Sequence, residues 1–531
     1  MKRLTVVQPF LFVAFPLLSL LASNLDFVRP RELLLPVAIL AGITTLLLLV
    51  GARLMKSLEA AAITLSVFWL LFFSYGRLLA LFGRRSAVSE ALVGLGCLAL
   101  LGLTVAIVLK HRGQLQPVAG ILTIAGLALV AMPLIGMAPT LFARATAAPR
   151  PNAGAVAALK TRAPATHAPE PTHGAATATP PTATPTPTEP PDIYYIILDG
   201  YARADVLQDL YGYDNAGFLA GLTQRGFYIA ERSRSNYVQT YLSLGSSLNM
   251  TYLDELAAQV GEDCEDRTPL QDLLAHNAVA ELLKQAGYTY VAISTGYADQ
   301  ELAAADVFLS AGWSLSQFES GILNSTPLTP LIEMQHEMHR QRLLYAIAHL
   351  AQMPQKQGPL FVLAHIAAPH PPFVFGPNGD KITPNREFEF SDGPHFIGAG
   401  GTTEEYIAGY TGQVSWVNTQ IAPVLDAILA GSARPPIIVL QADHGPGSRL
   451  SWASAERTDL RERTSILNAY CLPGGTEHLY AGITPVNTFR LILSEYLGVG
   501  YALLPDESYY SPWLTPYHFV HVASEGEAPS P

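Results

Sequence analysis

The sequence predicts an α/β fold, a doubly wound and mostly parallel sheet, preceded by an all-α transmembrane block. Three observations predict it. Five long apolar runs fill the first 143 residues. A Pro/Thr/Ala-rich stretch follows them. Beyond it, short β-branched and aromatic runs alternate with capped helical segments, the pattern of parallel strands joined by crossover helices. Composition agrees: 50% of the 531 residues are hydrophobic and only 14% charged, too apolar for an ordinary soluble enzyme.

The apolar runs cover about residues 5–23, 33–52, 58–76, 91–109 and 117–138, within a block at 1–143. A helix crossing the hydrocarbon core needs about 20 apolar residues, and each run comes close. Backbone groups in lipid must bond within their own segment, so helices are the expected form. With all five crossing and the chain start inside, Lys2, Arg3, Arg53, Lys56, Lys110 and Arg112 sit inside. Arg29, Arg31, Arg77, Arg84 and Arg85 then sit outside, a slight positive-inside bias. Lys2 and Arg3 before an apolar run also suit a signal peptide, but no small-x-small cleavage site follows, so an anchor is preferred. Either version predicts a cell-membrane protein, multi-pass in the preferred one, with an extracytoplasmic C-terminal half.

Residues 144–191 read as a disordered linker, with eleven prolines and no aromatic residue between 147 and 191. Such a segment cannot bury a core and stays extended. At about 3.1 Å per residue it reaches on the order of 100 Å if stiff. Residues 192–520 read as a catalytic domain and 521–531 as a flexible tail. Strands are expected at Ile193–Leu198, Tyr288–Ser294, Leu360–Ala364, Pro436–Gln441 and Ser465–Cys471. Asp214 and Asn277 suit helix N-caps, with Gly226 and Gly287 at the exits. Pro485 suits the first turn of a helix running to Leu497.

The net charge of −11 argues against nucleic acid, which needs a basic patch. Cys97 lies in an apolar run; Cys264 and Cys471 lie in the polar half, where a pair and two free thiols are both open. No Cys/His cluster has zinc spacing.

Three motifs carry chemistry, because ligands of open α/β sheets collect beyond the carboxyl ends of strands. In Ile196-Ile197-Leu198-Asp199-Gly200 a strand ends in an acid, a candidate metal carboxylate; plain Asp-Gly turn chemistry is the alternative. In Pro436 to Gly445 a buried-looking strand ends in Asp443-His444-Gly445, a hard oxygen beside a nitrogen; a loop with a solvated His is the alternative. In Ser235 to Leu244, Thr240 stands where a loop enters a helix rich in small residues. A helix N-terminus favours an alkoxide and bound phosphate oxygens; otherwise Thr240 is a cap and Ser243 lines the core.

In this order, Asp199, Thr240 and Asp443-His444 resemble the alkaline phosphatase/sulfatase superfamily. Within it the sulfatase-like domain is most similar to the lipoteichoic acid synthase and phosphoglycerol transferase branch, which also places five membrane helices before an external catalytic domain. The resemblance covers about 192–515 and implies an alkaline phosphatase-like sheet. It implies Thr240 as nucleophile, and Asp199, Thr240, Asp443 and His444 as metal ligands. At Asp199 the closest relatives tend to use Glu, a departure that bears on the branch. Leu363 to Pro372 resembles the superfamily's His-containing loop after a central strand, so His365 or His370 contacts the transferred group or the leaving oxygen; a structural His in a Pro-rich loop is the alternative. Arg463 to Arg490 resembles the closing strand and helix. Arg449, shortly after His444, is the candidate for binding an anionic substrate oxygen, unless it is simply solvated.

Two carboxylates, a hydroxyl and an imidazole suit a divalent cation, Mn2+ before Mg2+ or Zn2+. The implied chemistry is transfer or hydrolysis of phosphate esters, phosphoglycerol- or phospholipid-derived, through a covalent threonine intermediate. The membrane anchor makes an anionic lipid-linked substrate the natural partner. A formylglycine sulfatase needs Cys or Ser followed by x-Pro-x-Arg, which neither Thr240-Tyr241-Leu242-Ser243-Leu244 nor Cys264-Glu265-Asp266-Arg267 supplies. The alternatives are a sulfuric ester hydrolase without formylglycine and a non-catalytic envelope binding protein. His336-Glu337-Met338-His339 lacks metalloprotease spacing and is expected on an exposed helix face.

Overall fold

The structure, a computed structural model, describes residues 6–23, 30–82, 86–146, 190–296, 302, 304–312, 317–382, 390, 392–398 and 400–523. The linker expected at 144–191 lies almost wholly outside the described residues, as does most of the expected tail.

Five helices form where the apolar runs stand: α1 Gln8–Ser23, α2 Pro30–Met55, α3 Leu58–Ala80, α4 Ala87–Lys110 and α5 Gln116–Thr146, the last passing the expected boundary at 143. Four are long and apolar enough to cross a membrane, within Leu33–Met55, Leu58–Ala80, Val88–Lys110 and Gln116–Pro139. The first is shorter, 16 residues with Pro16 inside, where a full span needs about 20. Leu34, Leu49, Leu95, Leu98 and Ile124 are exposed on the outer faces, which water disfavours and lipid accepts. Inside, Phe12 and Val13 pack with Ala61, Ala62, Trp69 and Phe73.

The second unit is built on a seven-stranded sheet of order β2-β7-β6-β1-β5-β3-β4. Its strands are β1 Ile193–Leu198, β2 Tyr228–Ile229, β3 Thr289–Ile293, β4 Val307–Leu309, β5 Leu360–Ile366, β6 Ile437–Gln441 and β7 Asn468–Cys471. β1 pairs in parallel with both β5 and β6, and β3 in parallel with β5 and β4. Only β7 runs against its neighbours β6 and β2. The helices used below are α6 Thr240–Asn249, α7 Gln317–Asn324, α8 Thr329–Gln352, α9 Thr403–Gly431 and α10 Pro485–Leu497.

Strand side chains alternate between faces with a period of two, and β1 shows the consequence. Tyr194, Ile196 and Leu198 enter one core with Tyr410, Val414, Val417 and Leu425 of α9. Ile193, Tyr195 and Ile197 enter the other with Leu242 and Leu248 of α6 and Phe489 and Ile492 of α10. Burying each large aliphatic side chain contributes about 1.5–3 kcal/mol. Both faces are covered, so β1, β5 and β6 are buried at every residue, as parallel sheets require.

The expected elements form with small shifts. β5 continues two residues further, through His365 and Ile366, because both pair with β1. Ser465 and Ile466 make only isolated bridges ahead of β7. Asn215, not Asp214, is the N-cap residue of the helix Ala216–Gln224, although the Asp214 carboxylate accepts from Ala216 N–H at 2.9 Å. Asn277 caps as expected, accepting from Ala280 N–H at 2.9 Å. Cys264 and Cys471 are free thiols.

One expectation fails outright. His336 and His339 are not on an exposed face: they are 1% and 0% exposed. α8 packs beside α9, and the Phe390 ring stands edge-on to His339 with centroids 5.0 Å apart. Burial and the Arg342 charge push the His339 imidazole well below its usual pKa.

Candidate functional site

The three central strands β6, β1 and β5 run side by side in one direction, so their carboxyl ends open on the same edge. That geometry delivers Asp199 just after β1, His365 near the end of β5, and Asp443 and His444 just after β6. Ligand atoms of Asp199, His365 and Asp443 all lie within 4.8 Å of one another, and all three residues are buried.

Local chemistry explains why the chain turns here. Gly200 adopts φ +74°, a conformation open to glycine, and its N–H donates to Asp443 Oδ1 at 3.1 Å. The turn therefore joins the ends of β1 and β6. The loop after β5 is tied to the same point, since His370 N–H donates to the Asp199 carbonyl at 3.0 Å. Ser243 of α6 donates to the Asp443 carbonyl at 2.6 Å.

Thr240 opens α6, as expected, but it is not the cap; Gln239 holds that position. Its Oγ1 lies 3.1 Å from His444 Nε2. Thr240 is only half-buried, while Asp199, Asp443 and His444 are each 1% exposed. Thr240 is thus the most exposed of these four residues. His444 Nδ1–H donates to the Gly445 carbonyl at 2.9 Å, which leaves the Nε2 lone pair for the site. That nitrogen is 3.3 Å from Asp443 Oδ2 and 3.7 Å from Asp199 Oδ1. Burial and the Arg463 guanidinium push the His444 pKa down, favouring the neutral ring a metal requires.

Among the described residues, Asp199 Oδ1 and Asp443 Oδ2 are buried without a hydrogen-bond partner. Uncompensated buried carboxylate oxygens are costly, and a divalent cation beside an imidazole would satisfy both. Burial alone would raise the Asp199 pKa, but His370, the His365 hydrogen bond and His444 outweigh it and hold the carboxyl well below its usual range. The donor set, oxygens with nitrogen, fits a divalent metal.

His365 and His370 occupy different positions. His365 Nε2 is 3.1 Å from Asp199 Oδ2, so it joins the carboxylate cluster instead of reaching outward. His370 Nδ1–H donates to the Pro371 carbonyl at 2.6 Å, and its ring centroid is 6.2 Å from that of His444. Arg449 is elsewhere: half-exposed, 3.5 Å from Asp459.

Beside the cluster lies an ion pair that sequence reasoning missed. Arg463, 1% exposed, donates to Asp392 Oδ2 at 2.5 Å and to the Gly445 and Val238 carbonyls at 2.9 Å. Burial raises the Asp392 pKa, yet Arg463 and the nearby imidazoles bring it down to about 2. Tyr406 donates to Asp392 Oδ1 at 2.6 Å, and His370 Nε2 is 3.9 Å from Oδ2. This pair fixes the loop after His444 from behind. In the sequence, Asp392-Gly393 reads as a turn and Arg461-Glu462-Arg463 as a solvated charge run, so neither signals a buried partner.

A family model described as Sulfatase matches residues 191–489. The chain belongs to the sulfatase family. The matched span holds all four strand-end and helix-start residues named above. No curated protein matches the sequence. Among solved structures, this sulfatase-family chain is similar to the C-terminal periplasmic domain of EcEptC from Escherichia coli, at 12% identity and TM-score 0.41, covering 65% of this chain and 95% of that one. It is similar to the soluble domain of lipooligosaccharide phosphoethanolamine transferase A from Neisseria meningitidis, at 13% identity and TM-score 0.36, covering 58% and 88%. A protein in the alkaline phosphatase superfamily from Vibrio parahaemolyticus is similar at 12% identity and TM-score 0.38, covering 61% and 74%.

Proposed function

We propose that this sulfatase-family protein is a membrane-anchored metalloenzyme that transfers or hydrolyses phosphate esters, with Thr240 as nucleophile. The observation that carries it is the meeting of Thr240, His444, Asp443 and Asp199 at one sheet edge, with two buried carboxylate oxygens left unsatisfied. Asp199, Asp443, His444 and Thr240 hold the cation, and His365 orients Asp199. When bound, a divalent metal, Mn2+ before Mg2+ or Zn2+, supplies positive charge to an oxyanion and to the attacking hydroxyl.

The chain's own residues do the rest. Thr240 Oγ1 gives up its proton to solvent water and attacks phosphorus in line, the bond to the ester oxygen breaks with its electron pair leaving on that oxygen, and a phosphothreonine forms. His370, when protonated, has an Nε2–H to give the departing oxygen, since its Nδ1–H is committed to the Pro371 carbonyl. Water or an acceptor alcohol then releases the phosphoryl group. Thr in place of Cys or Ser supports phosphoryl over formylglycine sulfuryl chemistry. The lipoteichoic acid synthase-like layout of the sequence supports a phosphoglycerol- or phospholipid-derived substrate and an extracytoplasmic catalytic domain.

The test uses the full-length chain in detergent, stripped of metal and then supplied with Mn2+, Mg2+ or Zn2+. Phosphodiester, phosphomonoester and sulfate ester substrates are compared. Metal-dependent phosphate ester turnover is expected. Turnover of sulfate esters alone would favour the sulfatase alternative, and no turnover with any metal would favour a binding protein.

A further inference from the structure

Gln239 stands directly before Thr240 and opens α6. Its carbonyl accepts from the Leu242 and Ser243 N–H groups at 3.1 and 2.9 Å, so its placement sets the first turn of the helix. The side chain of such a residue ordinarily turns inward and accepts from the first free N–H groups. Gln239 makes no such bond. It is 2% exposed, and its amide engages the C-terminal segment instead. Nε2 donates to the Ser511 carbonyl at 3.1 Å, to the Ser511 hydroxyl at 2.8 Å and to the Pro512 carbonyl at 3.0 Å. Oε1 accepts from Arg267 Nη2 at 3.1 Å. A guanidinium only donates, so this set of partners fixes which end of the amide is which.

Those partners belong to a piece of chain that grips both sides of the site. Residues 508–513 lie beyond the span 191–489 that matches the family. On the Thr240 side, Tyr509 N–H donates to the Asn236 carbonyl at 2.8 Å and Ser508 Oγ to the Ser235 carbonyl at 2.7 Å. The Tyr237 and Tyr509 rings stack there, with centroids 5.6 Å apart. On the His444 side, Trp513 N–H donates to the Trp452 carbonyl at 2.9 Å and the Tyr510 hydroxyl to the Ser451 carbonyl at 2.6 Å. Arg267 closes the arrangement. It is 1% exposed, donates to the Trp513 carbonyl and lies over the Trp513 ring, 4.3 Å from its centroid, a cation–π contact that desolvation strengthens. The loop that leads to Thr240 and the loop that leaves His444 are thus tied to one short segment.

We propose that Gln239 is a positioning residue: held by Ser511, Pro512 and Arg267, it fixes the Thr240 hydroxyl beside His444 for in-line attack. The proposal rests on the reading of Thr240 as nucleophile. The physical reason is that threonine is stiff at χ1, so its Oγ1 goes where the backbone puts it. A misplacement of about 1 Å at a reacting group costs on the order of 10²-fold in rate. A buried amide satisfied at both ends holds its backbone far more rigidly than a solvated one.

The full-length chain in detergent, supplied with Mn2+, Mg2+ or Zn2+ and a chromogenic phosphodiester, is compared with Gln239→Ala and Gln239→Glu. Gln239→Glu keeps the size of the side chain and the acceptor for Arg267, and loses the donor to residues 511 and 512. Both variants should lower kcat at least about tenfold with KM held within about twofold, the pattern of an interaction that counts only in the transition state. A second readout needs neither metal nor substrate. Amide hydrogen exchange, followed by mass spectrometry, should rise at least about tenfold in the peptide carrying residues 240–243 and stay at the parent rate in β5 and α9. A parent-like kcat in both variants overturns the proposal, as does a raised KM with kcat unchanged. Exchange that stays at the parent rate in residues 240–243, or that rises equally in β5 and α9, overturns it too. Each of these failures leaves the catalytic reading standing. Absence of turnover in the parent chain removes the catalytic reading, and exchange then decides by itself whether Gln239 holds Thr240 in place.

Discussion

Thr240 Oγ1 and His444 Nε2 stand 3.1 Å apart across 204 residues of chain. The contact joins the first turn of α6 to the end of β6, and it places the one half-buried hydroxyl of the cluster against a ring nitrogen whose lone pair is free for a metal. Replacing Thr240 by Ala should lower turnover by at least roughly 10³-fold, as removal of a nucleophile does. Intact-mass analysis after brief exposure to substrate should show a phosphoryl adduct on the wild type and none on the variant. An adduct that persists in Thr240→Ala assigns the nucleophile elsewhere.

Asp443→Asn keeps an oxygen to accept from Gly200 N–H, so the fold should survive. It removes the charge that the cation needs, and metal affinity should fall at least about tenfold. Metal content by mass spectrometry, at matched protein concentration, checks this. Unchanged occupancy would reject Asp443 as a ligand.

Asp392→Asn leaves Arg463 buried without its counter-charge. Breaking a buried pair in this way costs about 3–5 kcal/mol, read as a lowered midpoint in denaturant. The pair also sets a pH dependence. Because the folded Asp392 pKa lies at about 2, below the unfolded value of about 3.9, its stabilisation is complete above the unfolded value. It is lost as pH falls through that window toward 2. Thermal midpoints from pH 5 downward should fall more steeply for the wild type than for Asp392→Asn.

Gly445→Ala tests the close packing behind His444. An added Cβ would meet the Glu462 carbonyl oxygen at 2.0 Å and the Arg463 carbonyl oxygen at 3.1 Å, and backbone, unlike a flexible side chain, has little room to give. A cost of about 1–3 kcal/mol is expected, with loss of metal affinity as His444 shifts. A variant as stable as the parent would show that this loop moves freely.

Orientation is testable on intact cells. Glu477 is exposed on the catalytic domain. In a chain with Cys97, Cys264 and Cys471 changed to Ser, Glu477→Cys should react with a membrane-impermeant maleimide before lysis. Labelling only after lysis would place the domain inside.

By itself, the sequence determined the apolar helical block, the parallel strands and the positions of Asp199, Asp443 and His444 beyond their carboxyl ends. Apolar runs near 20 residues and short β-branched runs ending in Asp are local signals, set by burial and by strand geometry. It could not determine that His336 and His339 are buried, that His365 turns toward Asp199, or that Arg449 faces solvent. Those outcomes depend on which helix packs against which, and a side chain's own neighbours along the chain say nothing of that. The Asp392–Arg463 pair is the clearest case: each residue alone reads as surface chemistry, and only the closing of the fold removes both from water and makes each necessary to the other.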